Sequence, residues 1–147
     1  MMNRLRTSNR RAVRVYVSHS IQDMVFARKI RNLLAHRANA EVFISDDLSA
    51  GEKWESKLRR ELAASDVVVA ILSPASVDSS WVLLEIGAAW ALEKPIIPVI
   101  TRRDVLNAIP VSLEGSKVIE LTGVESAEDA GRFLEEFEER LGATPVS

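Results

Sequence analysis

The chain has 147 residues, enough for one domain with a proper core, and no cysteine, which excludes disulfides, thiolate catalysis and cysteine-based metal sites. Nineteen Lys and Arg against 21 Asp and Glu leave a formal charge of -2, which argues against a nucleic-acid binder. No stretch approaches the roughly 18 apolar residues of a membrane span, and no apolar run follows the N-terminal arginines as a signal peptide requires, so the cytoplasm is the expected location.

In chain order, residues 1–12 read as a basic, solvated arm carrying Arg4, Arg6, Arg10 and Arg11, with a membrane or nucleic-acid contact as the other reading. Residues 13–18 (VRVYVS) alternate and are β-rich, which predicts the first strand. Residues 21–37 set Ile21, Met24, Val25, Ile30, Leu33 and Leu34 at helical spacing. A short second strand covers 41–44, and 45–52 (SDDLSAGE) is loop chemistry. Trp54, Leu58 and Leu62 share one face of a second helix. The apolar run at 66–72 predicts a strand covered on both faces, ended by Ser73-Pro74. A very apolar helix follows at 80–93. Residues 95–100 (PIIPVI) predict a fourth strand whose two prolines limit its pairing, and 102–109 a helix or turn. Residues 117–121 predict the fifth strand. Ser126, with Asp129 three residues on, opens a last helix whose buried face is Ala130, Phe133, Leu134, Phe137 and Leu141, and 143–147 is a tail.

Strands alternating with helices imply one α/β domain over 13–142: a flavodoxin-like three-layer fold, with a five-stranded parallel sheet in the order 2-1-3-4-5 and helices on both faces. Ligands of such sheets bind outside the carboxyl ends of the strands, where the order reverses. Here that crevice falls between strands 1 and 3. Ser18, His19, Ser20, the 45–52 loop and the stretch from Ser73 into the next helix meet there.

From Ser79 to Leu92 the only charged residue is Glu85, and a carboxylate in an apolar helix must be compensated. It is either at an exposed edge or paired with an arginine, or it is held at the rim of a pocket. Trp81 lies one turn earlier on the same face. As an isolated aromatic it reads as core packing, and so does Trp54.

Together these segments resemble the Toll/interleukin-1 receptor (TIR) domain family. The resemblance rests on VYVSHSIQD at 15–23, EVFISDDLSAGEKW at 41–54, ASDVVVAILSPASVDSSW at 64–81 and WVLLEIGAAWALEKPIIPVI at 81–100, in the family's order and spacing. Trp81-x-x-x-Glu85 is similar to the motif of the branch that cleaves NAD. The resemblance implies that Glu85 is the catalytic glutamate, Trp81 the motif's tryptophan and Trp54 a pocket aromatic. It implies that Ser45, Asp46, Asp47, Leu48, Ser49, Ala50 and Gly51 form the BB loop, which takes part in assembly. Asp46, Asp47 and Leu48 would also border the substrate, with Ser18, His19 and Ser20. His19 and Ser20 stand where some members carry Tyr and Arg, and the loop looks about one residue shorter than in some relatives.

The implied activity is cleavage of the nicotinamide–ribose bond of NAD+, a substrate here, with no cofactor and no metal. The products are nicotinamide and either ADP-ribose or a cyclic isomer. Nicotinamide leaves neutral, so a carboxylate that stabilises an oxocarbenium-like transition state is needed more than a strong acid. Self-association, an upstream sensor or another TIR protein is the expected trigger, and antiviral defence or virulence the family-level role. The competing reading is a non-catalytic adaptor working by TIR–TIR contacts, with a nucleoside deoxyribosyltransferase-like enzyme more distant. A receiver domain is set aside because Ser18-His19-Ser20 and Ser73-Pro74 stand where its acidic residues belong. No P-loop or Gly-x-Gly-x-x-Gly occurs.

Overall fold

The computed structural model describes residues 12–45, 53–110, 113, 115–123 and 125–143. The elements in order are β1 (Val13–Ser18), a 3-10 turn (Ile21–Asp23), α1 (Met24–Arg37), β2 (Ala40–Ile44), α2 (Trp54–Ala64), β3 (Val67–Leu72), α3 (Ser80–Ala91), β4 (Ile96–Ile100), a 3-10 segment (Arg103–Ala108), β5 (Ile119–Glu120) and α4 (Ala127–Ala143). The five strands form one parallel sheet in the order β2-β1-β3-β4-β5. The chain leaves β1 for β2 on one side and crosses to β3 on the other, which puts the switch point between β1 and β3. Most of the N-terminal arm, the 46–52 loop and residues 144–147 lie outside the described residues.

The period of two along each strand sorts the core into two layers. Val15, Val17, Val67, Val69, Ile71 and Val99 face Ala27, Ile30 and Leu34 of α1 and Phe133, Leu134 and Phe137 of α4. Tyr16 and Val68 face Leu58 and Leu62 of α2 and Ala89 of α3, while Ala70, Leu72 and Ile100 face Val82 and Ile86 of α3. All six residues of β3 are buried, as a central strand between two helical layers requires. On α1 the apolar spacing overreaches. Ile21, in the 3-10 turn, and Val25, in the first turn of α1, are exposed at 81% and 67%, because the buried face of the helix is the one carrying Ala27, Ile30 and Leu34.

Three expectations about elements are corrected. The fourth strand is fully paired with β3 over Val68↔Ile96 to Leu72↔Ile100, so the limited pairing expected from its prolines holds only on the β5 side. Odd residues turn their backbone toward β3: the Val68 N–H donates to the Pro95 carbonyl at 2.9 Å, and the Thr101 N–H to Leu72 at 3.1 Å. Even residues turn toward β5, where the Leu121 N–H donates to Ile100 at 2.9 Å. Pro98 therefore lacks its donor on the β5 side, one residue before that pairing starts at Val99↔Ile119. The fifth strand is two residues, not five; the Lys117 carbonyl accepts from Arg140 Nη1 at 2.7 Å instead of joining the ladder. The apolar helix stops at Ala91, two residues early.

That stop is a Schellman motif. The Lys94 N–H donates to the Ala89 carbonyl and the Glu93 N–H to Trp90, both at 3.0 Å, with Glu93 at φ 57°. An L-residue with a Cβ is strained there, so Glu93→Gly is expected to stabilise the fold by about 1 kcal/mol. A urea melt checks this, and an unchanged or lower midpoint contradicts it. At the other ends, Ser79 accepts from the Val82 N–H at 3.2 Å and Ser126 from the Asp129 N–H at 3.0 Å, so both helices are capped by serine.

Candidate functional site

Even-numbered residues of β1 face α3, so Tyr16 and Ser18 meet the buried side of that helix. Glu85 lies on this side. Its exposure is 0%, as are those of Tyr16 and Ser18. The Tyr16 hydroxyl donates to Oε2 of Glu85, and Ser18 Oγ donates to Oε1 at 2.7 Å. The hydroxyl of Ser45, just past the end of β2, hydrogen-bonds the carboxyl as well. The carboxyl thus sits beside the carboxyl ends of β1 and β2, at the switch point that topology indicated.

The burial corrects the sequence expectation for Glu85. The residue is not at an exposed edge, and the groups that hydrogen-bond it are hydroxyls, not an arginine. Burial pushes its pKa up from 4.5 to about 7, against the lowering effect of Tyr16, Ser18 and Ser45. Burial first, then the neighbouring Glu85 charge, drives the Tyr16 phenol far above its ordinary range, so the phenol remains a donor. The outcome is an acidic group poised between its two forms near neutral pH, in a setting where charge is felt strongly.

Trp81 and Trp54 come together at the start of α3 and α2. Their ring centroids are 5.4 Å apart, and their planes meet at 67°. Trp81 is half-buried, while Trp54 is 40% exposed, so Trp54 is not a core residue. The pair forms an edge-to-face aromatic wall that can receive a planar ring.

The remaining residues separate. His19 and Ser20 are buried; His19 Nδ1 meets the Ser20 carbonyl at 2.6 Å, and Ser20 Oγ donates to Asp23 at 2.7 Å. Asp23 also accepts from Ser73 Oγ, which ties the end of β1 to the end of β3. Ser45, placed by sequence in the assembly loop, turns its hydroxyl to Glu85. Asp46, Asp47, Leu48, Ser49, Ala50 and Gly51 lie outside the described residues. Two surface concavities, one of about 200 Å³ beside Arg14, Glu41 and Glu61 and one of about 370 Å³ beside Lys29, His36 and Arg37, do not include Glu85.

Sequence reasoning missed Tyr16. The signal was present: it is the only tyrosine, on a buried strand, and a buried phenol needs a hydrogen-bond partner.

A family model described as a TIR domain matches residues 15–134. A comparison with curated protein sequences gives no match. Among solved structures, the TIR domain of the Toll-related receptor TRR-2 from Hydra magnipapillata aligns with a TM-score of 0.67 at 15% identity, over 86% of this chain and 96% of that one. The TIR domains of the activated Roq1 resistosome align with a TM-score of 0.65 at 16% identity, over 86% and 99%. A 2-desoxiribosyltransferase from Leishmania mexicana aligns with a TM-score of 0.56 at 19% identity, over 84% and 97%. At these identities the likenesses establish the fold.

Proposed function

The chain belongs to the TIR domain family, and from that membership we propose that it is an NAD+ glycohydrolase with Glu85 as its catalytic carboxylate. The observation that carries this reading is the fully buried carboxyl of Glu85, held by three hydroxyls at the sheet's switch point. A buried carboxylate without a basic partner is costly for stability, and such costs collect at functional sites.

In the proposed reaction the bond between the ribose C1′ and the pyridinium nitrogen breaks. Its electron pair moves to nitrogen, and nicotinamide departs neutral. The positive charge left on the ribosyl group is stabilised by the Glu85 carboxylate, which also accepts from a ribose hydroxyl. Water then adds at C1′ and loses a proton, giving ADP-ribose; attack from within the same molecule gives a cyclic isomer instead. Trp54 and Trp81 supply the wall for a planar ring and exclude water. Incubating the protein with NAD+ and separating the products by chromatography tests the proposal.

Self-association is the second part of the reading. Leu83, Leu84 and Trp90 on α3 are exposed at 40%, 46% and 62%, a cluster of large apolar side chains on the helix that carries Glu85. The TIR domains of the Roq1 resistosome belong to an assembly by name. Nicotinamide release per molecule is accordingly expected to rise with protein concentration. Asp47→Lys in the BB loop should shift that dependence and the light scattering while leaving the melting temperature within about 1–2 °C. If neither changes, the loop has no part in assembly. An adaptor acting through TIR–TIR contacts needs the same exposed face but not Glu85.

A further inference from the structure

We propose that the two oxygens of Glu85 have separate jobs, and that Tyr16 is the positioning residue that divides them: it anchors Oε2 against the sheet, so that Oε1 is the oxygen offered to the ribose. The inference rests on the NAD+ reading of the same site and goes beyond it to the atom that acts.

Tyr16 and Ser18 lie on the same face of β1, two residues apart, which spaces them by roughly 6–7 Å along the strand. Ser18 is the last residue of β1, at the carboxyl end of the sheet beside the β1–β3 switch point, and Tyr16 lies two residues earlier in the strand. The carboxyl of Glu85 bridges the two residues, with Oε2 on the phenol and Oε1 on the serine. One oxygen therefore points into the sheet and the other toward the strand ends, where the ligands of such folds bind.

The two donors also differ in how easily they can be displaced. The Tyr16 ring is fully buried against Leu58, Leu62, Val68 and Ala89, and its centroid lies 5.2 Å from that of Phe43. Its hydroxyl has no other place to go without repacking this layer. Serine hydroxyls turn about one bond. Once the crevice opens to a substrate, a ribose hydroxyl can take the place of Ser18 at Oε1 by rotation of the serine side chain, whereas the bond at Oε2 persists. The Ser45 hydroxyl also acts on Glu85, and the charge of Glu61 on α2 is felt by Tyr16.

The test compares wild type, Tyr16→Phe and Ser18→Ala as full chains, with Glu85→Gln as the reference. Phe keeps the ring and its packing and removes only the donor. With 13C-labelled glutamate, the Glu85 carboxyl signal is the one absent in Glu85→Gln. Its titration midpoint is expected to move up by about one pH unit in Tyr16→Phe, since a donor to the charged form is lost. In kinetics, Tyr16→Phe should lower kcat about 10–100-fold with KM for NAD+ unchanged, and the loss should persist on the alkaline plateau, where Glu85 is fully ionised. Ser18→Ala should cost less than tenfold. A Tyr16→Phe plateau within twofold of wild type, or an unmoved carboxyl midpoint, overturns the proposal, as does a larger kcat loss in Ser18→Ala. If the wild type releases no nicotinamide, the NAD+ reading falls and with it the assignment of Oε1 to ribose. The carboxyl titration still decides separately whether Tyr16 holds Glu85.

Discussion

Glu85→Gln is expected to lower nicotinamide release from NAD+ by a factor on the order of a thousand or more, while the protein keeps its fold. Glutamine has the same shape, and its amide can still bond the hydroxyls of Tyr16, Ser18 and Ser45, because hydroxyls both donate and accept. What it lacks is negative charge. A neutral amide gives little stabilisation to a ribosyl cation, so the chemical step should fail while packing survives. Glu85→Ala is the less informative variant, since it leaves a cavity and three hydroxyls without their acceptor in a fully buried place. Circular dichroism and a thermal melt check the fold of the Gln variant. Turnover within tenfold of wild type, in a folded protein, removes Glu85 from the mechanism.

The second large effect is on stability and runs with pH. The pKa of Glu85 is raised in the folded state from 4.5 to about 7, chiefly by burial. Between those values the folded chain holds a proton that the unfolded chain has released. The stabilisation is complete below about pH 4.5 and is lost as pH rises through about 7, at up to roughly 1.4 kcal/mol per pH unit and about 3 kcal/mol in all. Wild type should therefore lose stability between pH 5 and 8 relative to Glu85→Gln, which stays neutral throughout; subtracting the two curves removes the contribution of every other titrating group. Activity should move the opposite way, rising with pH through about 7 as the carboxylate forms. Urea melts of both proteins across this range measure the difference. Parallel curves would contradict the buried, protonated acid.

Under the proposed activity, the reason to keep such a group is functional. The same position filled by glutamine satisfies the hydroxyls at no ionisation cost, so stability alone favours the amide. The helix around Glu85 is apolar throughout, and nothing in its packing requires a charge.

The sequence made the fold legible where a period ran unopposed. β1 is bounded as expected because alternating Val and Tyr between polar residues leave one pairing register. β3 follows from a run of β-branched residues too short for a helix. Prolines limited β4 on one side only, because their effect depends on which neighbour the missing N–H faces, and that is set by the sheet. β5 misled through a tertiary contact, the Arg140 side chain at Lys117, 23 residues away. At the site, Glu85 stood out as a lone charge in an apolar helix. Its depth did not, because burial depends on what β1 and the end of β2 lay over it. Tyr16 was hidden because it fits a strand pattern perfectly well as a large apolar residue, and only the third dimension brings its hydroxyl to a carboxyl 69 residues away.

In the proposed function, Glu85 is what makes this TIR domain an enzyme. Concentrated wild-type protein incubated with NAD+, beside Glu85→Gln at the same concentration, tests it most directly when nicotinamide and the ribosyl product are quantified by chromatography. Nicotinamide accumulating with equimolar ADP-ribose or its cyclic isomer in the wild type, and neither in the variant, is the predicted result. Equal nicotinamide from both proteins, or none from the wild type at any concentration, would contradict it.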